Sequence, residues 1–464
     1  MRSPLLLFVF AFFHCVLALS HPPQRRASIN TPPNDAFYTP PDGWESKEPG
    51  TVLRTRKVNL AFLQIDDYNY EAAYQILYRT TGGYEDEPAT TVTTVIIPYN
   101  AKKNKLVNYL VYTDSNGAQC APSYSMRKGG NFGTDLALSY QQILFTTFLN
   151  EGWILTVPDY QGPTRGFGAG RLEGRMALDA IRATLNYEPV GLSKNTKVVS
   201  YGYSGGAIAS GWAAGLQPNY APEINAVGFA MGGTPANISG TVQNLNAGLF
   251  SGFAITGITG VYFTYPAIQE WARGKLTTKG RQALEYARTH CMLDVLLRYP
   301  FTNALTDDLI RGGSQLLEAP AVANVIDKLN MGQQESETPT APVYMFHGQH
   351  DEVIPFRDAL KTAHAWANHG ADVRLDDFTD VTSEHLVSEL LNVPNVLFFV
   401  RDRFAGKSFP KGFHRRTTSN PIDEPNDSLQ GLGSLVQSIE DLIGRKVGPG
   451  DSIIKNRIRE NARS

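Results

Sequence analysis

The stretch Lys197-Val198-Val199-Ser200-Tyr201-Gly202-Tyr203-Ser204-Gly205-Gly206-Ala207 decides the fold of this chain. A short apolar run reads as a strand, and the helix-forming residues Ala207 to Leu216 follow almost at once. Between them, Gly202-Tyr203-Ser204-Gly205-Gly206 matches G-x-S-x-G in the strand–turn–helix setting that a nucleophile elbow needs. The reason is steric. A serine held in so sharp a turn requires small residues two positions before and after it, and Gly202 and Gly206 supply them. The turn lifts the Ser204 hydroxyl above the sheet and aims the Gly205 N–H at an incipient oxyanion.

Outward from the elbow, strand-like and helical runs alternate. Thr90 to Pro98, Leu106 to Tyr112 and Trp153 to Asp159 read as strands, and Arg171 to Leu185 as an amphipathic helix. Later come a strand at Val343 to Phe346, a helix at Asp358 to Asn368, a strand at Val373 to Phe378 and helical Leu386 to Leu391. Strands separated by helices imply a mostly parallel sheet covered on both faces: an α/β-hydrolase core. From about Pro235 to Thr338 the alternation stops. That stretch is apolar, small-residue-rich and helical, with one such pattern from Gly280 to Leu297, and reads as a cap inserted into the core. The expected organisation is a first core part at 27–235, a cap at 236–338, a second core part at 339–404 and an extension at 405–464, which includes an amphipathic helix at Leu429 to Ile443.

A serine needs a base, and the base an orienting acid, in the order Ser, Asp or Glu, His. Asp351 falls in the loop after the Val343–Phe346 strand, and His385 in the loop after the next one. His347 and His350 precede the acid and break the order, while His364 and His369 belong to a helix with a solvated face. The expected triad is therefore Ser204, Asp351 and His385. Asp376, Asp377 and Asp380 are alternative acids, read as surface charge because they lie between the favoured loop and the base.

The chain has 464 residues, 19% of them charged, with a formal net charge of −2, which gives no basic field for nucleic acid. The cluster His414-Arg415-Arg416 reads as solvated surface. No Cys/His cluster suggests a metal, and no cofactor motif is present. Leu5 to Leu19 is apolar but shorter than the ~20 residues that span a bilayer, and Ala18 and Ser20 suit a cut before His21. Residues 1–20 thus read as a secretory signal, with 21–26 a possible propeptide ending at Arg25-Arg26. Export leaves Cys120 and Cys291, a lone pair expected to bond in an oxidising compartment, worth ~3–5 kcal/mol over so long a loop. Asn237 and Asn426 head N-x-S sequons, consistent with that route.

Taken together, these residues resemble the fungal secretory lipase family from about Pro33 to Phe404. The resemblance rests on Asp114 and Cys120-Ala121-Pro122-Ser123-Tyr124-Ser125, on Gly202 to Ala207, and on Gly232-Gly233-Thr234-Pro235. Tyr299-Pro300-Phe301 and Glu384-His385-Leu386 extend it. It implies the α/β-hydrolase core, the cap, the same triad and the Cys120–Cys291 disulfide. A further family disulfide has no cysteines here, which would leave the region near Asn368 looser. The resemblance also implies an oxyanion hole made of Gly205 and Asp114. An ionised carboxylate would repel an oxyanion, so Asp114 donates only when protonated.

The expected activity is hydrolysis of carboxylic esters, triacylglycerol included, by a secreted serine lipase acting through an acyl-enzyme, with a possible oil–water interface as the place of action. Gly252, Phe253, Gly257 and Phe263 either line an acyl tunnel or pack the cap. A second reading keeps the triad and deacetylates a small acylated metabolite, since cap replacement changes substrate class without touching the triad. A peptidase and a catalytically dead binding protein are further readings; the intact triad argues against the latter.

Overall fold

β-branched and aromatic runs buried on both sides build the centre of the molecule. A computed structural model describes residues 29–62, 66–84, 86–130, 136–380, 383–419 and 447–449. The signal segment, Arg25-Arg26, the helix at Leu429 to Ile443 and Asn426 lie outside the described residues.

Ten strands form one sheet: β1 (Val52–Lys57), β4 (Ala72–Thr81), β5 (Pro88–Ile97), β6 (Lys105–Leu110), β7 (Ile154–Pro158), β8 (Lys197–Tyr203), β9 (Ala226–Gly232), β10 (Val343–Gly348), β11 (Val373–Phe378) and β12 (Phe413–Thr418). Ala61–Phe62 (β2) and Asp66–Asp67 (β3) make a separate two-stranded ribbon. The sheet order is β1-β4-β5-β7-β6-β8-β9-β10-β11-β12. Pairing is antiparallel from β1 to β7 and parallel from there on. In such sheets ligands gather beyond the carboxyl ends of parallel strands, where the loops after β6, β8, β10 and β11 converge.

Helices cover both faces. Gly170–Asn186, Gly205–Tyr220 and Phe356–Asn368 pack on one side through Leu172, Trp212 and Trp366. Leu136–Leu149 and His385–Ala405 pack on the other through Phe145, Phe148, Val396 and Val400. The last helix runs well past the Leu386–Leu391 expectation, through Pro394. An interior proline costs about 3 kcal/mol. Burial of Val393, Val396, Leu397 and Val400 outweighs it, at ~1.5–3 kcal/mol each.

Between β9 and β10 the chain is helical, with Ile238–Leu245, Ser251–Thr264, Pro266–Ala272, Thr278–Thr289, Met292–Arg298 and Pro320–Asp327. The single pattern expected from Gly280 to Leu297 is two helices, broken at His290-Cys291, where Cys291 is the N-cap of the second. The reason for the break is the bond from Cys291 to Cys120 in the loop after β6, which ties these helices to the core. Their own apolar cluster includes Val242, Leu245, Ile255 and Val295, and it reaches Val353 and Ile354 beside Asp351.

Two expectations for the far edge are corrected. Asp376 and Asp377 are fully buried rather than surface charge. Arg374 and Arg416 bind Asp376, while Arg415 grips Asp377 at 2.7 and 2.9 Å. The cluster at 414–416 is accordingly not free solvated charge: it belongs to β12, which extends the sheet beyond Phe404, and its arginines neutralise buried carboxylates of β11.

Candidate active site

The elbow is built as its glycines require. Ser204 has φ 51° and ψ −120°, a strained conformation for a residue with a side chain, and its N–H bonds Gly232 O at 3.0 Å. A Cβ on Gly202 would strike Gly206 O, and one on Gly206 would strike Leu110 O. Ser204 is 7% exposed, so its hydroxyl is nearly sealed from water.

His385 opens the helix His385–Ala405, and its Nε2 lies 2.8 Å from Ser204 Oγ. Its Nδ1 lies 2.7 Å from Asp351 Oδ2. With Nδ1 donating to Asp351, Nε2 is left to accept from the serine. Asp351 Oδ1 meanwhile accepts from the backbone N–H groups of Val353 and Ile354 at 2.9 and 2.7 Å. Burial opposes ionisation of Asp351, but the His385 charge and the bonds from both neighbouring histidines hold its carboxyl well below the usual range. Burial likewise disfavours an imidazolium at His385, yet the Asp351 charge and hydrogen bond outweigh it and raise the His385 pKa. Ser204, His385 and Asp351 thus form one hydrogen-bonded line, with a base oriented by a stable anion.

Asp114, in the loop after β6 with φ 46°, lines the same cavity as Ser204 and Gly205. Its carboxyl is buried, Oδ1 has no protein partner, and a Cβ on Gly205 would overlap that oxygen. Gly205 is the first residue of its helix, where an N–H has no intrahelical acceptor. Burial pushes Asp114 up to about 7, against the His385 charge and its own backbone. A carboxyl that keeps its proton below about pH 7 can donate to an oxyanion beside the Gly205 N–H.

Several participants escaped the sequence reading. His347, set aside because it precedes the acid, places Nε2 3.2 Å from Asp351 Oδ2 and 3.1 Å from Ile354 O. Glu352 Oε2 accepts the His385 N–H at 3.0 Å, an acid at a helix N-terminus. Tyr203 OH donates to His385 O at 2.5 Å. Glu389, one turn beyond His385, is buried and accepts from Tyr112 OH at 3.2 Å, and burial raises it to about 8. Its i+4 spacing from His385 was the one available signal. The remaining histidines lie elsewhere: His350 on Ser383, His364 on Phe413, His290 stacked on Tyr286, His414 on Lys411 O, and His369 capping a helix.

A cavity of about 40 Å³ adjoins Ser204, Gly205 and Asp114, walled by cap residues that include Leu245, Phe253 and Gly257. Gly252 instead abuts Leu296, and Phe263 lies under the Arg288 guanidinium. Asn237 spends its side-chain oxygen on capping the helix Ile238–Leu245. Among the described residues, no group of three or more His, Cys, Asp or Glu is arranged to hold a metal.

The sequence model of the secretory lipase family matches residues 127–412. A secreted triacylglycerol lipase of Malassezia furfur is 62% identical over 378 residues, covering 82% of this chain and 99% of the relative. One of Malassezia restricta is 53% identical over 440 residues, covering 95% and 94%. Among solved structures, Candida antarctica lipase A in its closed state superposes with a TM-score of 0.78 at 30% identity, over 91% of this chain and 99% of that one. The elbow, the capped sheet and these relatives agree: the chain belongs to the secretory lipase family, a secreted α/β-hydrolase that acts on carboxylic esters.

Proposed function

We propose that the chain hydrolyses triacylglycerol and other long-chain esters, with Ser204 as nucleophile, His385 as base and Asp351 as its orienting anion. The observation that carries this reading is the Asp351–His385–Ser204 hydrogen-bonded line ending in an apolar cavity under the cap. Ser204 Oγ attacks the ester carbonyl carbon as its proton passes to His385 Nε2. The oxyanion that forms takes hydrogen bonds from the Gly205 N–H and the protonated Asp114. Collapse breaks the ester bond, and His385 returns the proton to the departing alcohol. Water, activated by the same imidazole, then cleaves the acyl-enzyme to a free acid and restores Ser204.

The reaction belongs at an oil–water surface. Leu297 and Phe301 are 73% and 69% exposed, and Leu249 and Leu293 accompany them. Phe301 N bonds Gly248 O and Ser251 Oγ bonds Tyr299 O, so these residues form one apolar patch rather than scattered surface leucines. The cavity at Ser204 is far below the ~300 Å³ of ordinary small-molecule sites, so admission of a long acyl chain requires the cap helices to part. Hydrolysis of p-nitrophenyl esters from acetyl to palmitoyl, together with emulsified triacylglycerol, tests the reading. Rates are expected to favour long chains and triacylglycerol. Activity confined to acetyl esters would move the function to deacetylation of a small metabolite.

A further inference from the structure

A second cavity, of about 260 Å³, is larger than the one at Ser204 and shares no lining residue with it. The two meet at one loop: Asp114 faces Ser204, while its neighbours Thr113 and Ser115 line the second space. Nothing in the hydrolytic steps uses it.

Its wall carries a guanidinium and a buried amide donor without a partner. Arg165 lines it and, among the described residues, its side chain makes no hydrogen bond or ion pair. The Arg165 backbone is held in the left-handed region, φ 54°, by bonds from Arg165 N to Gly162 O and from Asn116 Nδ2 to Arg165 O. That conformation costs about 1–2 kcal/mol for a residue of this kind, so a strained turn holds a guanidinium at the cavity wall, with Asp159 as its nearby opposite charge. Gln161, 7% exposed, lines the same space with a buried Nε2 that has no partner. A buried amide donor such as Gln161 Nε2 is costly to leave unpaired. Pro32, Leu77, Val92 and Pro163 give the rest of the wall an apolar surface.

We propose that this cavity binds a fatty carboxylate, with Arg165 and the Gln161 amide on the headgroup and the apolar wall on the first carbons of the chain. Fatty acids are the class that ester hydrolysis releases, so the choice of ligand rests on the proposed function. Arg165 is shaped for the task, since a guanidinium matches a carboxylate's two oxygens. Burial and the neighbouring Arg288 bring Arg165 down to about 10, so it stays cationic at neutral pH. Asp159 is the acid on the wall, and its oxygens are occupied by Ser123 N at 2.9 Å and Ser123 Oγ at 2.5 Å. Burial lifts it to about 6, against those bonds and Arg165, which removes much of its repulsion in mildly acidic solution.

The test uses full-length secreted protein with Ser204 capped by a hexylphosphonate, so that the catalytic pocket is filled. Calorimetric titration with hexanoate, hexanol and inorganic phosphate in mildly acidic buffer reads the second cavity alone. Hexanoate is expected to bind, and Arg165→Asn, which tolerates the same backbone, to weaken it about tenfold or more. Gln161→Leu should weaken it too, in case the first variant disturbs the turn. No hexanoate binding, equal binding of hexanol or phosphate, or indifference to both substitutions would overturn the proposal. Ester hydrolysis by uncapped protein is measured separately: its absence would sink the proposed function, whereas a failed titration with intact hydrolysis would sink only the carboxylate site.

Discussion

Asp114 is the residue on which the chemistry turns most sharply. In the proposed mechanism an anionic Asp114 would repel the oxyanion, and a protonated one would donate to it. Raised to about 7, Asp114 holds its proton below that pH and loses it above, so its contribution fades as pH rises. His385 works in the opposite sense, since it accepts a proton only when neutral, and its own pKa is raised. Activity should therefore be bell-shaped, with Asp114 setting the alkaline limb. In Asp114→Asn the donor persists at every pH, and kcat/KM measured across the range should keep its acid limb and lose the alkaline fall. Asp114→Leu removes the donor, and kcat should drop by ~10²–10³. An unchanged alkaline limb in the Asn variant would show that Asp114 does not donate. The sequence made Ser204, Asp351 and His385 legible because each stands at a loop after a strand in a fixed order. His347 was hidden by that same order, for nothing in a linear reading shows two imidazoles converging on one carboxylate.

At the scale of elements, the helix His385–Ala405 both carries the base and anchors a face of the sheet. Glu352 caps its first N–H. Replacing it with Ala should lower stability by ~1 kcal/mol, read as a fall in the denaturation midpoint, and should lower kcat more than it alters KM because the base is then less firmly placed. A variant with wild-type stability and kcat would remove Glu352 from the positioning of His385. Only Leu386 to Leu391 of this helix is legible in the sequence; its continuation through Pro394 rests on burial against the sheet. The strands β5 to β8, β10 and β11 were legible as apolar runs, whereas β9 went unread because its Ala, Gly and Met residues lack β-branched density. β12 was not legible either, since its burial pattern is largely exposed and polar, and its place in the sheet comes from arginines meeting Asp376 and Asp377 across the strands.

At the scale of the whole molecule, the helical stretch between β9 and β10 carries both the disulfide to the loop after β6 and the exposed apolar residues. Cys120 and Cys291 join parts of the chain 171 residues apart and fasten the cap beside the loop that bears Asp114. The patch of Leu249, Leu293, Leu297 and Phe301 is expected to meet the oil phase. Leu297→Ser with Phe301→Ser should cut hydrolysis of emulsified triacylglycerol about tenfold and leave dissolved butyrate esters nearly untouched. Equal losses on both substrates would place the patch in folding rather than interface binding. The alternating core and helical insertion could be read from periodicity, but the patch could not, because exposure of a helical leucine depends on which neighbours cover it.

The central claim is that an acyl group passes through Ser204. Intact-mass and peptide mass spectrometry of protein mixed with p-nitrophenyl butyrate and quenched in acid within the first turnover tests it most directly. A butyryl adduct on the peptide containing Ser204, absent from Ser204→Ala together with all hydrolysis, is the expected result. Hydrolysis that persists in Ser204→Ala, or an adduct on another residue, would contradict the account.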